Sequence, residues 1–196
     1  MAQLVGWARE LAAASLAGSL PGRWAHVRAV AGKAENLRLV VGEDGDLLVS
    51  ATWLHDVGYA PSVRDTGFHP LDGARFLRGL DADGRLCGLV AHHSGARYEA
   101  RLRNLGRELA EFGDEQSLVR DCLWYCDMTI GPAGDPVTFD ERLAEIRQRY
   151  GSDHVVPQAI TAAAREIRAA VGRVSDRVSS LERVVDQRTA PCSPAR

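Results

Sequence analysis

Residues 47–56 read Leu47-Leu48-Val49-Ser50-Ala51-Thr52-Trp53-Leu54-His55-Asp56, an apolar run that ends on an imidazole and a carboxylate. The run sits in a helical segment predicted over 46–57, and Gly58 closes it. A histidine and a carboxylate at the end of so apolar a helix are costly to bury unless something compensates them. A cation would do so. A His-Asp dipeptide alone is weak evidence of such a site, and its weight depends on which faces the other polar residues occupy.

Working outward, apolar residues recur at three-and-four spacing, or in dense runs too long for strands. This predicts helices over 3–17, 22–42, 46–57, 70–80, 83–94, 99–111, 115–129, 138–150 and 157–188. Breaker clusters separate them: Leu20-Pro21-Gly22, Gly42-Glu43-Asp44-Gly45, the stretch from Gly58 to Gly67, and Gly131-Pro132-Ala133-Gly134-Asp135-Pro136. No stretch alternates with period two for long enough to predict a strand, so the expected fold class is all-α. With 196 residues, 45% apolar and 26% charged, the chain has the size and composition of one globular unit. The expected organisation is a helical core over 1–150, a C-terminal helical extension over 151–188 and a flexible tail over 189–196.

Composition narrows the partners. A formal net charge of −2 offers no basic excess for nucleic acid. Of the 24 cationic side chains, Lys33 alone is lysine and the rest are arginine. No apolar run reaches the roughly 18 residues that a bilayer span needs. The N-terminal MAQLVGWARELAAASLAG carries Arg9 and Glu10 within its apolar stretch, and so reads as an amphipathic helix rather than a signal peptide. Cys87, Cys122, Cys126 and Cys192 include no CxxC pair and read as buried thiols, in keeping with a cytoplasmic, reduced setting. Over 157–188, Ile160, Ala164, Ile167, Val171, Val174, Val178, Leu181 and Val185 keep a four-then-three seam. Such a seam suits a long helix lying along its own domain, or a homodimer paired through this helix.

Helical faces sort the remaining polar candidates. His93 follows Val90, Leu89 and Leu86 by three, four and seven positions and continues their apolar face, whereas His92 shares a face with Arg85 and Gly88 and is expected either to point outward or to lie behind the inward residues. Asp127 follows Leu123 and Val119 by four and eight. His69 runs forward into Gly73, Phe76 and Leu80, and His26 into Val30 and Leu37. Four histidines and two aspartates on inward faces imply a metal site or a catalytic cluster. His154, beside Asp153 near a turn, reads as a surface residue.

The order His26, then His55-Asp56, then Asp127 resembles the HD-domain metal-dependent phosphohydrolase superfamily, whose signature is H…HD…D on a helical bundle. The segments AHVRAVAGKAENLR, ATWLHDVGYA, GFHPLDGARFL, GLVAHHSGAR and LWYCDM look like five family blocks in the family's order, spanning about residues 20–130. His69 and His93 are most similar to the branch with additional histidines and a two-metal centre, to which bacterial diadenosine-polyphosphate hydrolases belong. The resemblance implies that His26, His55, Asp56 and Asp127 hold a first metal, and that Asp56 bridges to a second held by His69 and His93. It also implies catalytic roles for Asp56 and His93. The cofactor would be one or two divalent transition metal ions (Fe, Mn, Co, Ni or Zn), which suit imidazole and carboxylate ligands.

The expected activity is hydrolysis of a phosphate ester or anhydride, with a small phosphorylated substrate such as a nucleotide. Di-iron oxygenase chemistry on a small organic or phosphonate substrate is the alternative, because it uses an equivalent cage. A third reading, a non-enzymatic helical scaffold working through 157–188, requires a vestigial cage. Many family members follow the HD pair with Gly-Lys; here Gly58-Tyr59 stands instead. The cations then available for substrate binding are Arg97, whose guanidinium could grip two phosphate oxygens, and Lys33. Loops 58–68, 95–104 and 130–138 are expected to shape specificity.

Overall fold

The computed structural model describes residues 2–189, with side-chain burial over 3–183. Within the predicted tail, residues 190–196, Cys192 among them, lie outside the described residues, as does the side chain of Val185. In chain order the α-helices are α1 (Ala2–Leu16), α2 (Pro21–Glu35), α3 (Arg38–Val41), α4 (Gly45–Leu54), α5 (His69–Gly79) and α6 (Gly84–Ala91). They continue with α7 (Ala96–Leu102), α8 (Gly106–Leu109), α9 (Leu118–Met128), α10 (Phe139–Tyr150) and α11 (Val155–Thr189). Among the described residues there is no strand; Ile130 and Pro136 form an isolated bridge. The fold is all-α.

The apolar run 47–54 is the centre of the molecule. Leu48, Val49, Ala51 and Leu54 on α4 are all fully buried, and α1, α2, α6 and α9 pack around that helix. A helix apolar on every side belongs in the middle of a bundle. A second cluster joins Trp124 and Met128 of α9 to Phe139, Leu143 and Ile146 of α10 and to Ala163, Ile167 and Ala170 of α11. The long C-terminal helix therefore lies along α7, α9 and α10. Its buried stripe is Ala159, Ala163, Ile167, Ala170 and Val174, while Ile160, Ala164 and Val171 of the predicted seam are half-buried and Leu181 is exposed. Alanines beside the seam carry little hydrophobic signal, but they let α11 approach closely. A Cβ on Gly95 would lie 2.7 Å from that of Ala163.

Three predicted helices are shorter than their periodicity suggests. The segment 22–42 breaks after Glu35, where a turn carries Leu37 into the core and leaves Leu39 86% exposed. The segment 99–111 breaks at Asn104, whose φ of +60° ends α7 ahead of Gly106. The segment 83–94 ends at Ala91, and the chain turns through His92 (φ −109°) and Ser94 (φ +47°). Apolar spacing continues through all three breaks, so periodicity alone cannot place them. Cys87, Cys122 and Cys126 are buried free thiols, as expected. No helix among the described residues is long and apolar enough to cross a membrane.

Truncating a fully buried side chain leaves a cavity as well as losing contacts. Ile167→Ala should therefore cost about 2–5 kcal/mol in chemical denaturation. A loss well under 1 kcal/mol would mean that α11 does not pack as described.

Candidate metal centre

Five helices and the turns after them deliver six side chains to one place. His26 projects from the middle of α2, and His55 caps the C-terminus of α4 with Asp56 directly after it. His69 opens α5, His93 lies in the turn after α6, and Asp127 occupies the last turn of α9. Two backbone features make this convergence feasible. A Cβ on Gly58 would lie 2.0 Å from the His69 carbonyl oxygen and 2.7 Å from the Gly73 nitrogen. Only glycine lets the 57–59 turn sit against the start of α5. Ser94 is held in the left-handed region, which costs a non-glycine residue about 1–3 kcal/mol. Its Oγ donates to Asp127 Oδ2, so the strained turn both positions His93 and holds a carboxylate.

Five of the six residues form two triads that share Asp56, and Asp127 stands beside the first. His26, His55 and Asp56 make one, and Asp56, His69 and His93 the other, with ligand atoms in each within 4.8 Å of one another. His55 Nε2 lies 3.3 Å from Asp56 Oδ2 and 3.8 Å from Asp127 Oδ1. His26 Nε2 lies 3.0 Å from Asp127 Oδ1, and His69 Nε2 lies 3.4 Å from Asp56 Oδ1 and 3.0 Å from His93 Nε2. The outer ring nitrogens are committed elsewhere: Nδ1 of His26, His55 and His93 donates to the carbonyls of Gly131 (3.0 Å), Thr52 (2.7 Å) and Val90 (2.7 Å). Backbone partners of this kind fix ring orientation and, in a neutral ring, leave Nε2 as an inward lone pair.

Inward lone pairs and carboxylate oxygens repel one another unless a cation lies among them. His55 Nε2 is fully buried and has no hydrogen-bond partner, a cost that ligation would remove. Burial pushes the His55 imidazolium down, but Asp56 and Asp127 outweigh it and hold the pKa up at about 9. Burial and neighbouring imidazolium charge instead push His69 and His93 down, so both rings stay neutral. Burial alone would raise Asp56, yet Arg23 and His55 hold its carboxyl well below the usual carboxylate range. The same competition, with His26 in place of Arg23, holds Asp127 down. The donor set, four imidazoles and two ionised carboxylates without an inward thiolate, fits divalent transition metals. Ligation would require His55 to give up the proton it otherwise keeps.

Asp56, His69, His93 and Asp127 line a cavity of about 70 Å³, together with Arg23, Tyr59, Ser94, Glu99 and Arg142. The Tyr59 ring stacks on His69 at 3.9 Å between centroids, and the Arg23 guanidinium lies 4.2 Å from its centre. The aromatic at this position thus holds a candidate ligand ring and an arginine. Arg23, one turn before His26 on α2, donates to Asp56 Oδ2 at 2.8 Å; its i, i+3 spacing from His26 is the sequence signal that could have found it. The two cations expected to bind substrate lie elsewhere. Arg97 is tied to Glu166 of α11 and lies 3.5 Å from Asp114, while Lys33 donates to Thr129 and faces a groove lined by Leu37, Leu39 and Tyr125. His92 does not point outward. It is buried, with Nε2 donating to the Phe112 carbonyl at 2.9 Å, because the helix on which its face was counted ends one residue earlier. His154 is exposed and stacks on Tyr150.

Because both triads use Asp56, Asp56→Ala should empty both, whereas His93→Ala should disturb one. The measurement is metal content per chain by elemental analysis, with circular dichroism showing that the variants fold. Equal retention of metal by wild type and Asp56→Ala would break the assignment. Neither a curated protein nor a solved structure matches the chain. A family model, the HD domain, matches residues 23–126, which is more than half of the 196 and contains five of the six converging side chains. With Asp127 one position beyond the matched segment and the H…HD…D order closed in space, the chain belongs to the HD domain family.

Proposed function

We propose that the protein hydrolyses a phosphate ester or anhydride of a small phosphorylated metabolite, with a nucleotide as the foremost candidate. The observation that carries this reading is the pair of ligand triads joined at Asp56 beside an arginine-lined cavity. Membership in a family of metal-dependent phosphohydrolases supports it. Divalent ions in the two triads would lower the pKa of an adjacent water and neutralise phosphoryl charge.

The chain's own residues supply the rest. Asp56 and Asp127 stay ionised and would hold the cations, and Ser94 restrains Asp127. His69 and His93 remain neutral, as ligation requires. Arg23 brings a permanent positive charge to the cavity, where a phosphoryl oxygen would otherwise meet carboxylates. Its partner Asp56 is the same carboxylate that both triads share, so a cation held there would share that carboxylate with Arg23. A guanidinium of this kind suits a phosphoryl oxygen, and would suit the phosphonate of the oxygenase alternative equally.

The test is phosphate release from a panel of nucleotides and small phosphoesters by protein loaded in turn with Mn²⁺, Fe²⁺, Co²⁺, Ni²⁺ and Zn²⁺. Release with at least one metal, abolished by Asp56→Ala, is the expected result. Substrate-dependent oxygen uptake by the iron-loaded protein, with no phosphate released under any condition, would replace hydrolysis with the oxygenase reading.

A further inference from the structure

One arginine of the cavity wall comes from outside the segment that the family model covers. Arg142 lies in the first turns of α10, sixteen positions past the end of the match at residue 126. Its side chain is 5% exposed and lines the same cavity as Asp56, His69, His93 and Asp127. One guanidinium nitrogen, Nη1, donates to Glu145 at 2.6 Å. The Nε–H is buried with no partner. An unsatisfied donor on a buried charged group is expensive, and the position would be better filled by an apolar residue unless a ligand completes it.

The surroundings specify that ligand. Arg23 of α2 lines the same cavity, so two guanidinium groups border one space with Asp56, His69, His93 and Asp127. The Glu99 carboxylate on the wall is already engaged by Arg103 Nε at 2.6 Å. Ile146, Val156 and Ile160 close the remaining side with apolar surface. At about 70 Å³ the space admits a group the size of one tetrahedral oxyanion and little more. A larger cavity of about 400 Å³ adjoins it, sharing Arg23 and Tyr59 and reaching Arg149.

We propose that Arg142 and Arg23 form a subsite for the phosphoryl group of the substrate, with Arg142 Nε–H donating to one of its oxygens. The organic part of the substrate then extends past Tyr59 into the larger cavity. The inference deepens the hydrolase reading and rests on it. It adds a substrate class, a phosphoryl group whose organic substituent lies toward Tyr59.

The test uses inorganic phosphate as the probe. Binding to the full-length, Mn²⁺-loaded protein is followed by titration calorimetry, with metal content and thermal midpoint measured on the same samples. Arg142→Gln should weaken phosphate binding about tenfold or more, since it removes a charge-assisted donor, while metal content is unchanged. Arg142→Lys, which keeps the charge but loses the Nε donor, should fall between the two, and it carries the test if the glutamine variant does not fold. Wild-type affinity in both variants would overturn the subsite and leave the hydrolase reading intact. Phosphoester hydrolysis by a wild type that binds no phosphate would do the same. A metal-loaded wild type that neither binds phosphate nor hydrolyses any ester would overturn both.

Discussion

Two carboxylates, Asp56 and Asp127, are ionised inside an all-helical core, and the rest of the molecule is arranged around that fact. Both are nearly inaccessible to solvent, and an isolated buried carboxylate would take up a proton rather than bear the desolvation cost. Here they are kept charged by His26, His55 and Arg23. Helix ends add to the effect. The C-termini of α4, α6 and α9 all finish beside these residues, and each terminus carries a partial negative charge that favours a cation nearby. The centre is thus set up for positive charge twice, by side chains and by backbone.

Holding six candidate ligands in register takes local concessions elsewhere. Gly58 gives up a side chain so that the turn after Asp56 can touch α5. Ser94 accepts an unfavourable backbone conformation between His93 and α7. The loop between Gly58 and His69 is organised from inside by Asp72, whose carboxylate accepts from the backbone of Asp65, Thr66 and Gly67 and from the Thr66 hydroxyl. A buried acid at the first turn of α5 also complements the positive end of that helix. These residues touch no candidate metal position, yet each fixes one that does.

The sequence showed the helical class and the six inward polar residues because both are written in short-range spacing. Apolar residues at three and four positions mark a face, and a histidine or aspartate continuing that face must be buried with it. His26, His69 and Asp127 could be found in this way. Spacing says less wherever the helix stops while the apolar pattern runs on, and α6 ends one residue before His92, whose burial its helical face does not show. It also fails for residues whose role depends on distant packing. Arg97 looked available beside His93, but Glu166 arrives from α11, 69 positions along the chain. Nothing local to the sequence of α10 singles out Arg142, which lines one cavity with Asp127 only through packing.

The C-terminal helix has a larger part in the site than its place in the sequence suggests. Val156 and Ile160, in its first two turns, close the cavity over the metal centre. Farther along, Glu166 binds Arg97 and lies 3.7 Å from the buried Arg120, and Arg173 reaches Asp121 at 2.7 Å. Arg120 in turn rests on Trp124, whose indole N–H donates to the His92 carbonyl beside His93. A chain of packed and charged contacts therefore links the outer face of α11 to the turn that carries a candidate ligand. Exposed ion pairs of this sort contribute little singly, but Arg120 and Asp121 are buried, and removing one partner there would strand a charge. The seam of α11 is best understood as the surface that seals the cavity and fixes the α6–α7 turn, which gives its small buried residues, Ala159 and Ala163, a reason to lie where they do.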